Sequence, residues 1–277
     1  MSFFKQGARR LRETIANCLE SSEAMPDRLF YNNMDKLTAA IRKGDVVLVE
    51  GRSKMSAIIK IFSQSHWSHV GLYVGDELIT EESEFREKYL KEFGDDARHL
   101  MIEAFVGRGV VAVPLSKYRS YNLRICRPYG ILRRDRDTVI RIVMDNLGKR
   151  YDQQNIIDIA LMLLPSWFNP FRKRSIKACL GNCNEFQVIC SGMIAKAFQS
   201  VRYPIVPSTV TPSEPLNDVR SNPYGAKLIM RHYSQILPRD FDMSPNFEII
   251  KFNLIEAGTF DYRSLWHDDD VASGRES

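Results

Sequence analysis

The chain has 277 residues, 44% of them hydrophobic, with five cysteines and a formal net charge of +5. That apolar content excludes global disorder and supplies a full core for one large domain. The mildly basic balance carries no nucleic-acid motif with it, so no nucleic-acid partner is expected.

Along residues 1–24, Phe4, Ala8, Leu11, Ile15 and Leu19 recur at helical spacing, while Lys5, Arg9, Arg10 and Arg12 crowd the early turns. The pattern predicts an amphipathic helix, either packed on the domain with a solvated basic side or lying on an anionic membrane surface. After Lys43, Gly44 and Asp45, the run Val46, Val47, Leu48, Val49 predicts a buried strand. Residues 55–62 predict a short helix, 70–74 the next strand, and the acid-rich stretch 76–99 a solvated hairpin or helical excursion. Strands are expected over 100–105 and 110–113, with Gly107 and Gly109 turning between them, and again over 123–127; residues 138–147 have helical periodicity. The apolar run 156–164 is stopped by Pro165, and Trp167, Phe168 and Phe171 then precede Arg172, Lys173, Arg174 and Lys177. Aromatics beside a cationic cluster suit a membrane interface or an acidic partner, and equally a core helix ending in a basic loop. A helix is expected over 190–199, surface loops over the Pro-rich 203–225, a last strand over 247–252 and a frayed acidic tail over 266–277. The expected organisation is an extension over 1–30, then one domain over 31–265 with an apolar insertion near 153–187.

Three residues stand out chemically. Cys190 opens a predicted helix in the run Val188, Ile189, Cys190, Ser191, Gly192, Met193. A buried cysteine is ordinarily a small core hydrophobe. At a helix N-terminus, however, free N–H groups and the helix dipole favour a thiolate and can hold an oxyanion, and Gly192 and Ala195 let another backbone or a substrate approach. His69 stands where a strand emerges from a loop, the place for a base; its neighbour His66 is expected to be exposed beside Trp67. Glu103, among Met101, Ile102, Ala104 and Phe105, needs a partner if buried, either the ring of His69 or one of the many arginines. Cys179, Cys183 and Cys190 with a histidine could be drawn around zinc, but the spacing is loose and no second close pair exists, so no metal site is assigned. Gly107, Arg108 and Gly109 are too short to cradle a phosphate. The odd cysteine count fits a reducing compartment. The first residues lack a signal-like apolar run and no stretch approaches the roughly 20 apolar residues of a membrane span. A cytoplasmic location is therefore expected, with peripheral membrane contact as the open alternative.

Six segments, in this order, resemble the permuted papain-like branch of the NlpC superfamily, the YiiX/YebB-like cysteine hydrolases. Residues 43–48 look like its opening Gly-Asp strand, and 68–73 (Ser-His-Val-Gly-Leu-Tyr) like its histidine strand. Residues 102–104, followed by Gly109, Val110, Pro114 and Leu115, look like its glutamate strand, and 148–152 (Gly-Lys-Arg-Tyr-Asp) like the segment before the nucleophile. Residues 189–191 look like its cysteine helix, and 237–241 with 244–247 like its closing Pro-x-Asp and Ser-Pro segments. The resemblance departs at Ile189, often aromatic in the family, and at the long apolar insertion. It implies an α+β, circularly permuted papain-like fold: a small antiparallel sheet with packed helices, one of them the nucleophile helix. It implies a Cys190–His69–Glu103 triad that cleaves an amide or peptide bond through an acyl-thioester, without a cofactor. Two other readings are a lipid-directed acyl hydrolase or acyltransferase, docking on anionic membrane through residues 1–24 and 167–177, and a non-catalytic binding or scaffold protein on the same fold. The expected partner is accordingly an acyl, peptide or lipid-linked substrate.

Overall fold

The computed structural model describes residues 32–80, 83–105, 108–149, 189–210 and 227–253. The predicted N-terminal helix, the run 156–164, the aromatic–basic segment 167–177, Cys18, Cys179, Cys183 and the acidic tail lie outside these residues.

Among the described residues a six-stranded sheet organises the fold. Its strands are β1 (Val46–Val49), β2 (His69–Gly75), β3 (Leu100–Phe105), β4 (Gly109–Pro114), β5 (Leu123–Pro128) and β8 (Phe247–Ile250), in the order β4-β3-β2-β1-β5-β8. Every pairing in it is antiparallel. With helices beside it the chain is α+β, as expected. β1 is apolar throughout because it is central and buried on both faces. Alternation sends Val46, Leu48, Val70, Leu72, Val74, Ile102 and Ala104 to one face. There they pack against Val139, Ile140 and Val143 of a helix over Arg133–Met144 and against Met193, Ile194, Ala197 and Phe198 of a helix over Ile189–Ser200. Val47, Val49, Tyr73, Met101, Leu123 and Ile125 take the other face, with Leu37 and Ile41 at the helix Met34–Ala40 and Leu115 and Tyr118 beyond β4.

In chain order the helices of the described residues are α1 (Met34–Ala40), α2 (Lys54–Ser63), α3 (Arg86–Phe93), α4 (Arg133–Met144), α5 (Ile189–Ser200) and α6 (Pro238–Asp242). Local chemistry sets their ends. Asn33 caps α1 by accepting from the Lys36 N–H at 3.0 Å, and Ser53 caps α2 by accepting from that of Ser56 at 3.1 Å. Gln64 ends α2 in the left-handed region, φ 47°. In α6 the Asp240 carboxylate accepts from the Leu237 N–H at 2.8 Å. The predicted Gly-Asp opening has a structural job. Gly44 turns the chain at φ 89°, and buried Asp45 receives the Arg127 guanidinium through two bonds, of 2.9 and 2.7 Å, together with the Arg42 N–H at 2.8 Å. This clamp ties the start of β1 to its neighbour β5.

Three expectations need correction. The helix predicted over 138–147 spans Arg133–Met144, because its first turn is charged and its apolar periodicity starts late. Within the predicted loops of 203–225, Pro207–Val210 is a strand, β6, paired antiparallel with β7 (Lys227–Met230); a ladder partner some twenty residues away leaves no local signature. The last strand ends at Ile250 rather than at 252. The stretch 76–99 takes the helical alternative, with α3 between two 3-10 turns. Among the described residues no helix is long and apolar enough to cross a membrane.

Candidate active site

His69 opens β2 opposite Val49 of β1, and Glu103 of β3 lies opposite Gly71. Alternation puts His69, Gly71 and Glu103 on one face. The His69 Nε2 and the Glu103 Oε2 are 2.6 Å apart. Gly71 leaves room for β3 and the end of the Met101 side chain: a Cβ there would lie 2.1 Å from the Met101 Cε and 3.3 Å from the Ile102 carbonyl oxygen. The ring of Phe105 stacks on the imidazole, with centroids 4.9 Å apart and planes at 18°. The loop before His69 is fixed as well. The Ser68 hydroxyl accepts from the Gly51 N–H at 2.9 Å, and the Trp67 indole N–H donates to Asp242 of α6 at 2.9 Å. Arg124 pairs with the same carboxylate at 2.6 Å.

Cys190 is the second residue of α5 and is buried. It is a hydrogen-bond partner of His69. With Nε2 held by the carboxylate, Nδ1 is the ring nitrogen left to meet the thiol. α5 itself packs on the Val70–Leu72 face, so thiol and imidazole meet at the beginning of β2. Gly192, two residues after the cysteine, faces the Tyr233 backbone without a tight approach: a Cβ on it would sit 3.8 Å from the Tyr233 carbonyl oxygen, an ordinary contact. The Ser191 hydroxyl donates to the Ile236 carbonyl at 2.7 Å and fixes the first turn of the helix.

The three sequence-selected residues are thus brought together, while the rival His66 is not. Its side chain is 84% exposed and lies 3.7 Å from Glu50. Among the described residues no arginine satisfies Glu103. Its second cation is Lys117, whose Nζ donates to Oε1 at 2.7 Å, and the Tyr118 hydroxyl donates to Oε2 at 2.5 Å. Sequence reasoning missed both donors, which follow β4 in the 3-10 turn Leu115–Tyr118. The signal that could have found them is the carboxylate itself, since a buried Glu needs several donors and the turn after its paired strand is a ready source.

The electrostatics follow from this packing. Burial opposes a charged His69, yet the Glu103 carboxylate and the hydrogen bonds to Cys190 and Glu103 outweigh it, and the imidazole is pushed from an ordinary 6.5 up to about 10. Burial would likewise raise Glu103, but the His69 imidazolium and the Lys117 ammonium hold it below the usual carboxylate range. Burial, with the Glu103 charge beside it, pushes the Tyr118 phenol well up, so it stays a donor. Cys126 is a contrast: its thiol, buried in the core, is driven far upward chiefly by burial, with the charges of Asp242 and Asp45 adding to it against Arg124. No group of three or more His, Cys, Asp or Glu side chains placed to hold a metal occurs among the described residues.

No curated protein matches the chain. Among solved structures it is similar to the metalloprotein yiiX from Escherichia coli O157:H7, at 15% sequence identity and TM-score 0.43, covering 78% of this chain and 99% of that one. Residues 40–158 match the family described as permuted papain-like amidase enzyme, YaeF/YiiX, C92. The matched stretch includes His69 and Glu103 and ends before Cys190. The description names an amidase and lends no support to lipid-directed chemistry, acyl transfer or membrane contact. Residues 40–158 are thus similar to the permuted papain-like amidase family, the resemblance that the order of the chain's motifs implied.

Proposed function

We propose that this chain is a cysteine hydrolase of amide or peptide bonds, with Cys190 as nucleophile, His69 as general base and acid, and Glu103 orienting the imidazole, in a domain spanning residues 31–265. One observation carries the reading: the His69 ring is held between a fully buried carboxylate and the thiol in the first turn of a helix. That arrangement suits a thiol nucleophile and its base, because the carboxylate fixes the ring and stabilises its protonated form.

In the first half-reaction His69 enters as the imidazolium that its raised value implies, paired with the Cys190 sulfur, and that sulfur forms a bond to the carbonyl carbon of the substrate. The oxyanion that develops takes hydrogen bonds from N–H groups free at the start of α5. Collapse breaks the C–N bond, and the amine leaves with the proton from His69. In the second, His69 takes a proton from water, hydroxide adds to the thioester, and the carboxylic acid departs, which leaves the Cys190 sulfur paired again with the His69 imidazolium. Residues 1–24 and 167–177, on which lipid docking would rest, lie outside the described residues, so nothing favours a lipid substrate over a peptide.

The test is a screen of fluorogenic amides and short peptides with wild type and Cys190→Ala, both checked for folding by circular dichroism. Turnover by the wild type should fall by at least about 10³-fold in the variant. Retention of turnover by folded Cys190→Ala would remove Cys190 from the chemistry.

A further inference from the structure

The Glu103 carboxylate receives more donors than the orientation of one imidazole requires. Oε2 is shared by the His69 Nε2 at 2.6 Å and the Tyr118 hydroxyl at 2.5 Å, while Oε1 takes the Lys117 ammonium at 2.7 Å. The Lys117 Nζ also lies 3.0 Å from the Tyr118 oxygen. An ammonium can only donate, so this contact occupies a lone pair of the phenol and turns its own proton towards Glu103. Lys117, Tyr118 and Glu103 thereby close a ring of hydrogen bonds with one allowed direction. Lys117 further rests 4.4 Å from the centroid of Phe105, the ring stacked on His69.

We propose that Lys117 and Tyr118 are positioning residues for the His69–Cys190 pair, acting through Glu103: Tyr118 fixes the plane the carboxylate presents to the imidazole, and Lys117 takes a share of its charge. This rests on the catalytic reading above and deepens it. A buried carboxylate whose sole cation is an imidazolium holds that cation strongly, and a general acid must release its proton to the leaving amine. A second cation on the far oxygen weakens the hold while leaving the geometry intact. Among the described residues the charged and titratable groups on this carboxylate are His69 from β2 and Lys117 and Tyr118 from the turn after β4, with Cys190 of α5 next to His69 and Tyr118. Tyr121 packs edge-on against Tyr118 at 5.2 Å, and Arg108 lies 5.2 Å over the Phe105 ring.

The experiment is a ¹³C-histidine NMR titration of the full chain, with the His69 signal identified by its loss in His69→Gln. The rate of Cys190 alkylation at pH 7 is followed in parallel by peptide mass spectrometry. In Lys117→Met the His69 titration should move upward by roughly one pH unit, and Lys117→Arg should return it. Tyr118→Phe should move it in the same direction by less, and Cys190 alkylation should change several-fold in both Lys117→Met and Tyr118→Phe. A merely structural role would alter thermal stability and leave these two readouts alone. Wild-type titration and alkylation in folded Lys117→Met and Tyr118→Phe overturn the proposal, and a response in one variant alone overturns the assignment of the other residue. Failure of the underlying reading looks different: His69 would then titrate identically in wild type and Glu103→Gln.

Discussion

Replacing Glu103 by Gln keeps the volume of the side chain and removes its charge, so it isolates what the carboxylate does for His69. In the unfolded chain the imidazole titrates near 6.5; in the folded protein it is pushed up to about 10. A group whose folded value is raised binds its proton more tightly when folded, so its contribution is fully present below 6.5 and is lost as pH climbs through 10. The whole difference corresponds to about 5 kcal/mol, at about 1.4 kcal/mol per pH unit. Between pH 6.5 and pH 9, a range open to urea titration, wild type should lose roughly 3 kcal/mol that folded Glu103→Gln does not. Without the carboxylate, burial favours the neutral ring and the slope from His69 disappears. The assay is urea unfolding at half-unit pH steps on both proteins, reading the difference between the curves so that groups common to both cancel. Parallel curves across this window would refute the reasoning, since His69 would then carry no extra proton in the fold.

Two further outcomes follow from the same geometry. At pH 7 iodoacetamide should label Cys190 at least tenfold faster than Cys126, whose thiol is buried in the core and driven upward, and His69→Ala should erase most of that advantage; peptide mass spectrometry reads both rates. Arg127→Ala should destabilise the fold by about 3 kcal/mol or more in urea at neutral pH, because it strips a buried Asp45 of both guanidinium bonds.

Much of the candidate site was legible in the sequence, for physical reasons. His69 and Glu103 sit in runs whose alternating apolar neighbours announce buried strands, and a polar residue inside such a run draws notice. Cys190 stands out because Gly192 and Ala195 thin the helix just after it. Lys117 and Tyr118 read instead as an ordinary polar turn, since only the β3–β4 register carries that turn back to Glu103. Asn33 and the helix it caps escaped for a similar reason, as a seven-residue helix with one fully buried leucine has too little periodicity to register. The β6–β7 ladder depends on a partner distant in sequence, which composition does not encode.

The strand order also bears on solubility. An open antiparallel sheet has two rims, and each is a template on which a strand from another molecule could grow into an aggregate. On the β4 rim, the Val110 N–H donates to the Lys149 carbonyl at 3.0 Å and the Val110 carbonyl accepts from the Gly148 N–H at 2.9 Å, so the chain itself occupies the template. That strand then ends in Pro114, which has no N–H to offer. Among the described residues the opposite rim is β8, four residues long with Glu248 exposed, a short and charged border that gives an incoming strand little to extend.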